Sequence, residues 1–374
     1  MNKNWEMKKL GEVCEIVNGG TPDTKVPEYW NGEHLWITPK DMGKLDNIYV
    51  DETERKITDA GLKNSSAKIL PINSIILSSR APIGHLAINK KEISTNQGCK
   101  GIVPKEGLLS LFLFYFLKNS VELLNSLGSG TTFKELSSSK LSEIKIPLPT
   151  LSEQQRIVPI LDETFTSIDK AKEKTEKNLQ NSREIFDSYL QSVDAEKESL
   201  GSLVDITTGK LDANAATENG QYPFFTCSRE IFAIDNFAFD CEAILLAGNN
   251  AVGDFNVKHY KGKFNAYQRT YVITVNQENR VLYRYLYFQM LKSLKEFKMR
   301  SVGTGTKFLK LGMIKDLEIA LPPLSEQHSI VAKLDALSSE TKRLEAIYQQ
   351  KLAALDELKK SVLQKAFSGE LTGA

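Results

Sequence analysis

The 374-residue chain has only four cysteines, Cys14, Cys99, Cys227 and Cys241, and no two of them form a Cys-x-x-Cys pair. Its four histidines, His34, His85, His259 and His328, are equally scattered. Zinc needs clustered thiolate or imidazole ligands, so no metal is expected and the thiols read as incidental groups of a reducing compartment. Long apolar runs are missing too. Nowhere do about 18 consecutive apolar residues occur, so no membrane-spanning helix is expected. The start, Met1-Asn2-Lys3-Asn4-Trp5-Glu6, lacks the apolar stretch of a secretory signal, which predicts a cytoplasmic location. Excess charge of either sign is absent as well, with 48 Lys and Arg against 47 Asp and Glu. A nucleic-acid binder with so neutral a balance needs a local basic patch or a basic partner.

What is present is a duplication. Leu148-Pro149-Thr150-Leu151-Ser152-Glu153-Gln154-Gln155-Arg156-Ile157-Val158 is matched by Leu321-Pro322-Pro323-Leu324-Ser325-Glu326-Gln327-His328-Ser329-Ile330-Val331. Upstream, Gly128-Ser129-Gly130-Thr131-Thr132-Phe133 is matched to Gly303-Thr304-Gly305-Thr306-Lys307-Phe308, and Leu10-Gly11-Glu12-Val13 to Leu200-Gly201-Ser202-Leu203. Three matches in one order are not chance, and the period is far beyond the roughly 20–50 residues of a solenoid repeat. The chain is two copies of a domain-plus-helix unit.

Each proline frame predicts the start of a long helix. Ser152 and Ser325 are expected as N-caps, with Glu153 and Glu326 favourable near the positive helix end. Four- and three-residue steps then run through Leu161, Phe165, Ile168, Lys172, Thr175, Leu179, Ser182, Phe186, Tyr189 and Val193. The second seam runs Leu334, Leu337, Thr341, Leu344, Tyr348, Lys351, Leu355, Leu358 and Val362, with Leu352 beside it. Neither seam is apolar enough to stand alone, so the two helices are expected to pair, antiparallel if the halves are two-fold related. About 40 residues at about 1.5 Å each make a spacer on the order of 60 Å.

The remaining regions read as α+β. Ile75–Leu77, His85–Ile88, Ala243–Leu246 and Tyr271–Val275 look like strands. Leu108–Leu127 and Val281–Met299 look like closing helices. Apart from the frame, the halves share little sequence, which suggests two recognition surfaces of different specificity. Polar turns between the strands offer Arg80, Asn96, Gln97 and Lys100 in the first half and Asn249, Asn250, Gln268 and Arg269 in the second. Arg pairs bidentately with guanine, and Asn or Gln with adenine, in the major groove. The Gly-rich turns add Thr131, Thr132, Lys134, Thr304, Thr306 and Lys307 as groups suited to phosphate. A basic row, Arg280, Arg284, Lys292, Lys295, Lys298 and Arg300, interleaves with Tyr283, Tyr285, Tyr287 and Phe297; a solvated charged face is the competing reading.

No catalytic constellation emerges. Gly303-Thr304-Gly305-Thr306-Lys307 departs from the Walker spacing, because Phe308 follows the lysine. Glu143-Ile144-Lys145 has the E-x-K spacing of metal-dependent nucleases, but Glu318-Ile319-Ala320, taken as its counterpart, lacks the lysine. An exposed strand face explains it better.

The two Leu-Pro-x-Leu-Ser-Glu-Gln frames, the Gly-rich turns and the ending Leu363-Gln364-Lys365-Ala366-Phe367-Ser368-Gly369-Glu370-Leu371-Thr372 closely resemble Type I restriction-modification specificity subunits, over essentially the whole chain. The resemblance implies an α+β fold of two pseudo-two-fold-related target-recognition domains joined by two long antiparallel coiled-coil helices. The expected boundaries are 1–150 and 199–323 for the domains and 151–198 and 324–374 for the helices. It also implies a noncatalytic subunit that reads a bipartite double-stranded DNA site and docks two modification subunits and the restriction subunits. Leu161, Phe165, Ile168, Leu179, Phe186, Leu337, Leu344, Tyr348, Leu355 and Val362 would form the coiled-coil and partner-docking surface. No cofactor is expected on this chain; S-adenosylmethionine, ATP and Mg are expected on the partners. The alternatives are the recognition subunit of a related Type II system and a coiled-coil assembly scaffold.

Overall fold

The computed structural model describes residues 5–130 and 134–371. The chain divides into two compact units, Met1–Lys174 with Lys351–Ala374, and Thr175–Gln350. Each unit therefore contains parts of both long helices.

In the first unit the apolar run Ile75–Ser79 is the central strand of a five-stranded sheet. Cys99–Pro104 and Ile83–Asn89 flank it, with Cys14–Asn18 and Tyr49–Val50 outermost. Strand alternation sends Ile75 and Leu77 into one core and Ile76 into another. Burial on both faces is why this strand reads as a continuous apolar run. A separate three-stranded sheet centres on Trp30–Ile37 and was not expected from the sequence. The closing helix is two helices, Ser110–Asn119 and Val121–Leu127. At the break, the Ser120 hydroxyl donates to the Phe116 carbonyl at 2.9 Å.

The second unit repeats this scaffold. Val204–Thr208, Thr270–Val275, Phe239–Ala247 and Val257–Ala266 are neighbours in the order, and with the antiparallel sense, of their four counterparts in the first unit. Tyr222–Phe225 and Phe232–Ile234 extend the sheet to six strands. Val257–Ala266 escaped sequence reading because Lys258, His259, Lys261 and Lys263 interrupt its apolar pattern. The closing helix again breaks, between Tyr283–Lys292 and Leu294–Arg300, at Ser293.

The long helices run Leu151–Ser192 and Leu324–Ser368. Within the first unit they pair antiparallel, through the ion pairs Lys172–Asp356 and Lys359–Asp169. Within the second unit, Arg183–Glu345 at 2.6 Å and Lys333 over the Tyr189 ring show the same sense. The first seam is as expected: Leu161, Phe165, Ile168, Thr175, Leu179, Ser182 and Val193 are buried, and Phe186 and Tyr189 are partly so. In the second, Leu337, Thr341, Leu344, Tyr348, Leu355 and Val362 are half-buried, but Lys351 and Leu358 are exposed. Leu352 and Lys359 take their places, so the pattern steps by four twice in succession after Leu344. Lys359 belongs there because its ammonium lies 4.7 Å from the Phe165 ring centre and bonds Asp169.

The frame motif acquires a different explanation from the one its sequence suggested. The first helix starts one residue before Ser152, and Thr150 accepts the Glu153 amide at 3.3 Å. Ser152 and Ser325 are first-turn residues and not N-caps, since Leu151 and Leu324 are already helical. The residue that matters is the frame glutamine. Fully buried Gln154 donates to the Gly107 and Pro149 carbonyls and accepts from the Leu109 amide. Gln327 does the same with Arg280, Pro322 and Leu282. Each glutamine ties the long helix to the start of its closing helix.

The sequence match also needs two corrections of register. Leu10 bonds the Ile144 carbonyl as Leu200 bonds that of Leu317, so Lys145 corresponds to Glu318 and Glu143 is not its counterpart. Glu143 pairs with Lys9 on an exposed edge, as a solvated face should. In the Gly-rich turns the bridge Ser129–Glu135 corresponds to Val302–Phe308. Gly130 therefore matches Gly303, both with the positive φ that favours glycine. Lys134 then matches Lys307.

Candidate nucleic-acid interface

In the first unit the ends of three adjacent strands converge. Lys100 lies opposite Asn18 on one side and Leu77 on the other, and the chain leaves the central strand at Arg80. The turn before Lys100 is held by two amides: Gly98 donates to the Asn96 side chain at 2.7 Å, and Ser79 donates to the Gly98 carbonyl at 2.8 Å. Only a glycine at Gly19 lets the neighbouring strand approach, because a Cβ there would meet the Asn96 carbonyl at 1.9 Å. The Gly-rich hairpin docks on this end through the Leu136 amide, which donates to Ser79 at 2.9 Å. The structure thus brings Arg80, Asn96, Gln97, Lys100 and Lys134 to one end of one sheet.

Their chemistry differs. Gln97 and Lys134 are exposed, and Asn96 is half-buried with its oxygen already engaged. Lys100 is 6% exposed, and its ammonium bonds Asn18 at 2.9 Å with Glu135 3.8 Å away. Burial lowers its pKa. Arg80 shares Glu135 at the same distance, 3.8 Å. Lys100 is held inside the end rather than displayed on it. Ser78 and Ser79, which precede Arg80, are buried strand residues, so the polar stretch ahead of Arg80 is not a turn. Thr131 and Thr132 lie outside the described residues. Lys100→Met keeps the aliphatic packing and removes a buried charge, so the melting temperature is expected to hold or rise. A fall of several degrees in a thermal scan would show instead that the ion cluster stabilises the fold.

The second unit places its candidates on the matching end. Gly248 donates to the Arg269 carbonyl and accepts from Leu309, both at 2.9 Å. Asn249 and Asn250 pair in register with Phe308 and Lys307 of the hairpin. Arg269 spreads over the Phe308 ring at 5.2 Å. Exposed Gln268 occupies the position of Gln97 and donates to Asp212 at 2.6 Å. Thr304 is exposed, and Thr306 and Lys307 half-exposed, on the hairpin. Where the first unit has the ionic group Arg80, Lys100 and Glu135, the second has Asn249, Tyr271 and Phe308. Equivalent places on one scaffold carry unlike side chains.

The basic row on the closing helix belongs largely to the fold. Arg280 pairs with Glu198, Arg284 with Asp335 and Arg300 with Glu296, and Lys292 donates to the carbonyls of Gln191 and Val193. All four cysteines are free, with Cys14 and Cys99 buried and their thiol pKa values pushed up to about 12 by burial. Among the described residues no cluster of metal-ligating side chains occurs, and no helix is long and apolar enough to cross a membrane.

Two copies of one α+β scaffold, each with unlike polar side chains on the matching sheet end, define a duplicated recognition protein. A family model for the Type I restriction modification DNA specificity domain matches residues 2–180 and again 192–353. The chain belongs to that family, and it is a noncatalytic specificity subunit. It is 30% identical to the Type I restriction enzyme MjaIX specificity subunit of Methanocaldococcus jannaschii, over 99% of this chain and 94% of that protein. It is 42% identical to the EcoDI specificity subunit of Escherichia coli, over 48% of this chain and 39% of that one. Among solved structures, a chain from work on complex assembly and conformational transition of the type I R-M system superposes with TM-score 0.78 at 19% identity, covering 99% of both chains. The HsdS subunit from Thermoanaerobacter tengcongensis gives 0.59 at 18% identity, over 99% of this chain and 98% of that one. Both support the fold.

Proposed function

We propose that each unit reads one half of a bipartite double-stranded DNA site. The chain directs two modification subunits, which methylate adenine using S-adenosylmethionine, and restriction subunits, which use ATP and Mg, within the cytoplasm. The observation that carries this reading is the matching sheet end: a shared backbone frame with Arg80, Gln97 and Lys134 in one copy and Asn249, Gln268, Arg269 and Lys307 in the other. A fixed frame holds the backbone in place while variable side chains choose bases. Mapping methylated adenines in a host genome carrying the system is expected to give two short defined half-sites separated by unspecified bases. Uninterrupted sites, or methylation without sequence preference, would refute the reading.

Lys134 and Lys307 occupy equivalent hairpin positions and suit phosphate rather than bases. Replacing either by alanine is expected to weaken binding of the assembled complex alike on all sequences. The slope of log affinity against log salt should fall by about 0.9 for each phosphate that is no longer neutralised. An altered half-site in the methylome of these variants would reassign the lysines to base reading.

A further inference from the structure

In the second unit two apolar side chains stand in water beside the candidate interface. Val252 is 67% exposed and Met299 80% exposed. They lie on segments in contact: a Cβ at Gly253 would stand 3.3 Å from Lys298 and 3.5 Å from both Lys307 and Ser301. The loop that carries Val252 is built, not slack. Asn250, expected from sequence to read a base, uses its side-chain oxygen to accept the amides of Val252 at 2.9 Å and Asp254 at 3.0 Å. Asp254 is further fastened to Arg229 at 2.7 Å. A loop pinned by both ends presents Val252 in a set direction, at a cost in apolar exposure that folding alone does not explain.

The surroundings select the occupant. Lys298 and Lys307 lie against Gly253, the neighbour of Val252, and among the described residues neither is in ion-pair contact with a carboxylate. Apolar tips inside a cationic rim suit a surface whose edge is phosphate and whose interior offers methyl groups, which is the major groove of DNA. Among the described residues of the first unit the counterparts are different: the strand turn closes directly from Arg80 to Ile83, and Ser126 stands where Met299 does. At these described positions the two ends differ in apolar character, where two half-sites would have to differ.

The geometry points to Val252 and Met299 as specificity residues of the second unit, reading its half-site through apolar contact with a thymine 5-methyl group, with Asn250 as the positioning residue of the loop. This rests on the DNA-reading function proposed above. The test uses the complex assembled with its modification subunits and duplexes in which each thymine of the mapped site is replaced, one at a time, by deoxyuridine. Loss of a methyl group at one or more positions of the half-site read by the second unit is expected to weaken wild-type binding about three- to tenfold. In the V252S/M299Q double variant that sensitivity should vanish, while thymines of the other half-site keep theirs. Indifference of the wild type to every replacement in that half-site overturns the proposal. So does a variant that keeps the wild-type pattern, or one that assembles poorly with the modification subunits, because the patch then serves the protein contact. A wild-type complex with no preferred sequence would refute the DNA-reading function itself, a result recognisable before any variant is made.

Discussion

Truncating Phe367 to alanine is expected to destabilise the first unit by about 3–5 kcal/mol, the usual range for removing a buried phenylalanine. Phe367 lies near the end of the second long helix, yet it fills the core of the unit that the chain began. Its ring meets Phe112 at 5.2 Å and Phe116 at 5.6 Å, edge to face, beside Leu363 and Ala366. Removing it leaves a cavity among side chains held by rigid helices, so little collapse can offset the loss. The three tryptophans, Trp5, Trp30 and Trp36, all belong to the first unit. Their fluorescence should report the destabilisation directly in a urea titration. Leu358→Ala on the same helix is the control: Leu358 is exposed, and its removal should change the midpoint by no more than about 0.5 kcal/mol. An unshifted midpoint for Phe367→Ala would mean that this helix end does not contribute to the core.

Gln154→Ala is the second change of large expected effect. The side chain is fully buried and makes three hydrogen bonds, so its loss leaves one backbone amide and two carbonyls without partners. Each such group costs about 1–3 kcal/mol when buried, and part of this is recovered by water entering the space. A net loss of about 2–4 kcal/mol is expected. Gln154→Glu should be no better, because it turns an acceptor oxygen toward two carbonyls. Gln327→Ala removes the same three bonds in the second unit, which contains no tryptophan. It should lower the stability seen by circular dichroism more than that seen by tryptophan fluorescence. Equal shifts in the two signals for both variants would contradict a strap that acts within its own unit.

The core frame was legible in the sequence for physical reasons. Ile75–Leu77 and Ala243–Leu246 are buried on both faces and must be apolar throughout, and the heptad steps of the first long helix follow from its partner. The strand Val257–Ala266 was not legible, because its lysines project where no apolar period marks them. The candidate site was legible only in part. Its polar turns stood out, but whether a cation faces water or the interior depends on residues distant in sequence. Lys100 and Lys134 look alike in the chain; Asn18 and Glu135 draw one inward, and the hairpin leaves the other exposed.

Gly19 and Gly209 make the same point about spacing, since each admits a strand turn from far along the chain at a distance no Cβ allows. The amino-acid sequence by itself determined the duplication and the long helices, both of which are local patterns or their repetition. Tertiary structure alone decided that Phe367 completes a core begun with Leu10. It also decided that the frame glutamine is a strap and that Asn250 shapes a loop instead of presenting its oxygen. Those outcomes depend on which buried polar groups and apolar surfaces meet across long separations, and no window of neighbouring residues contains that information.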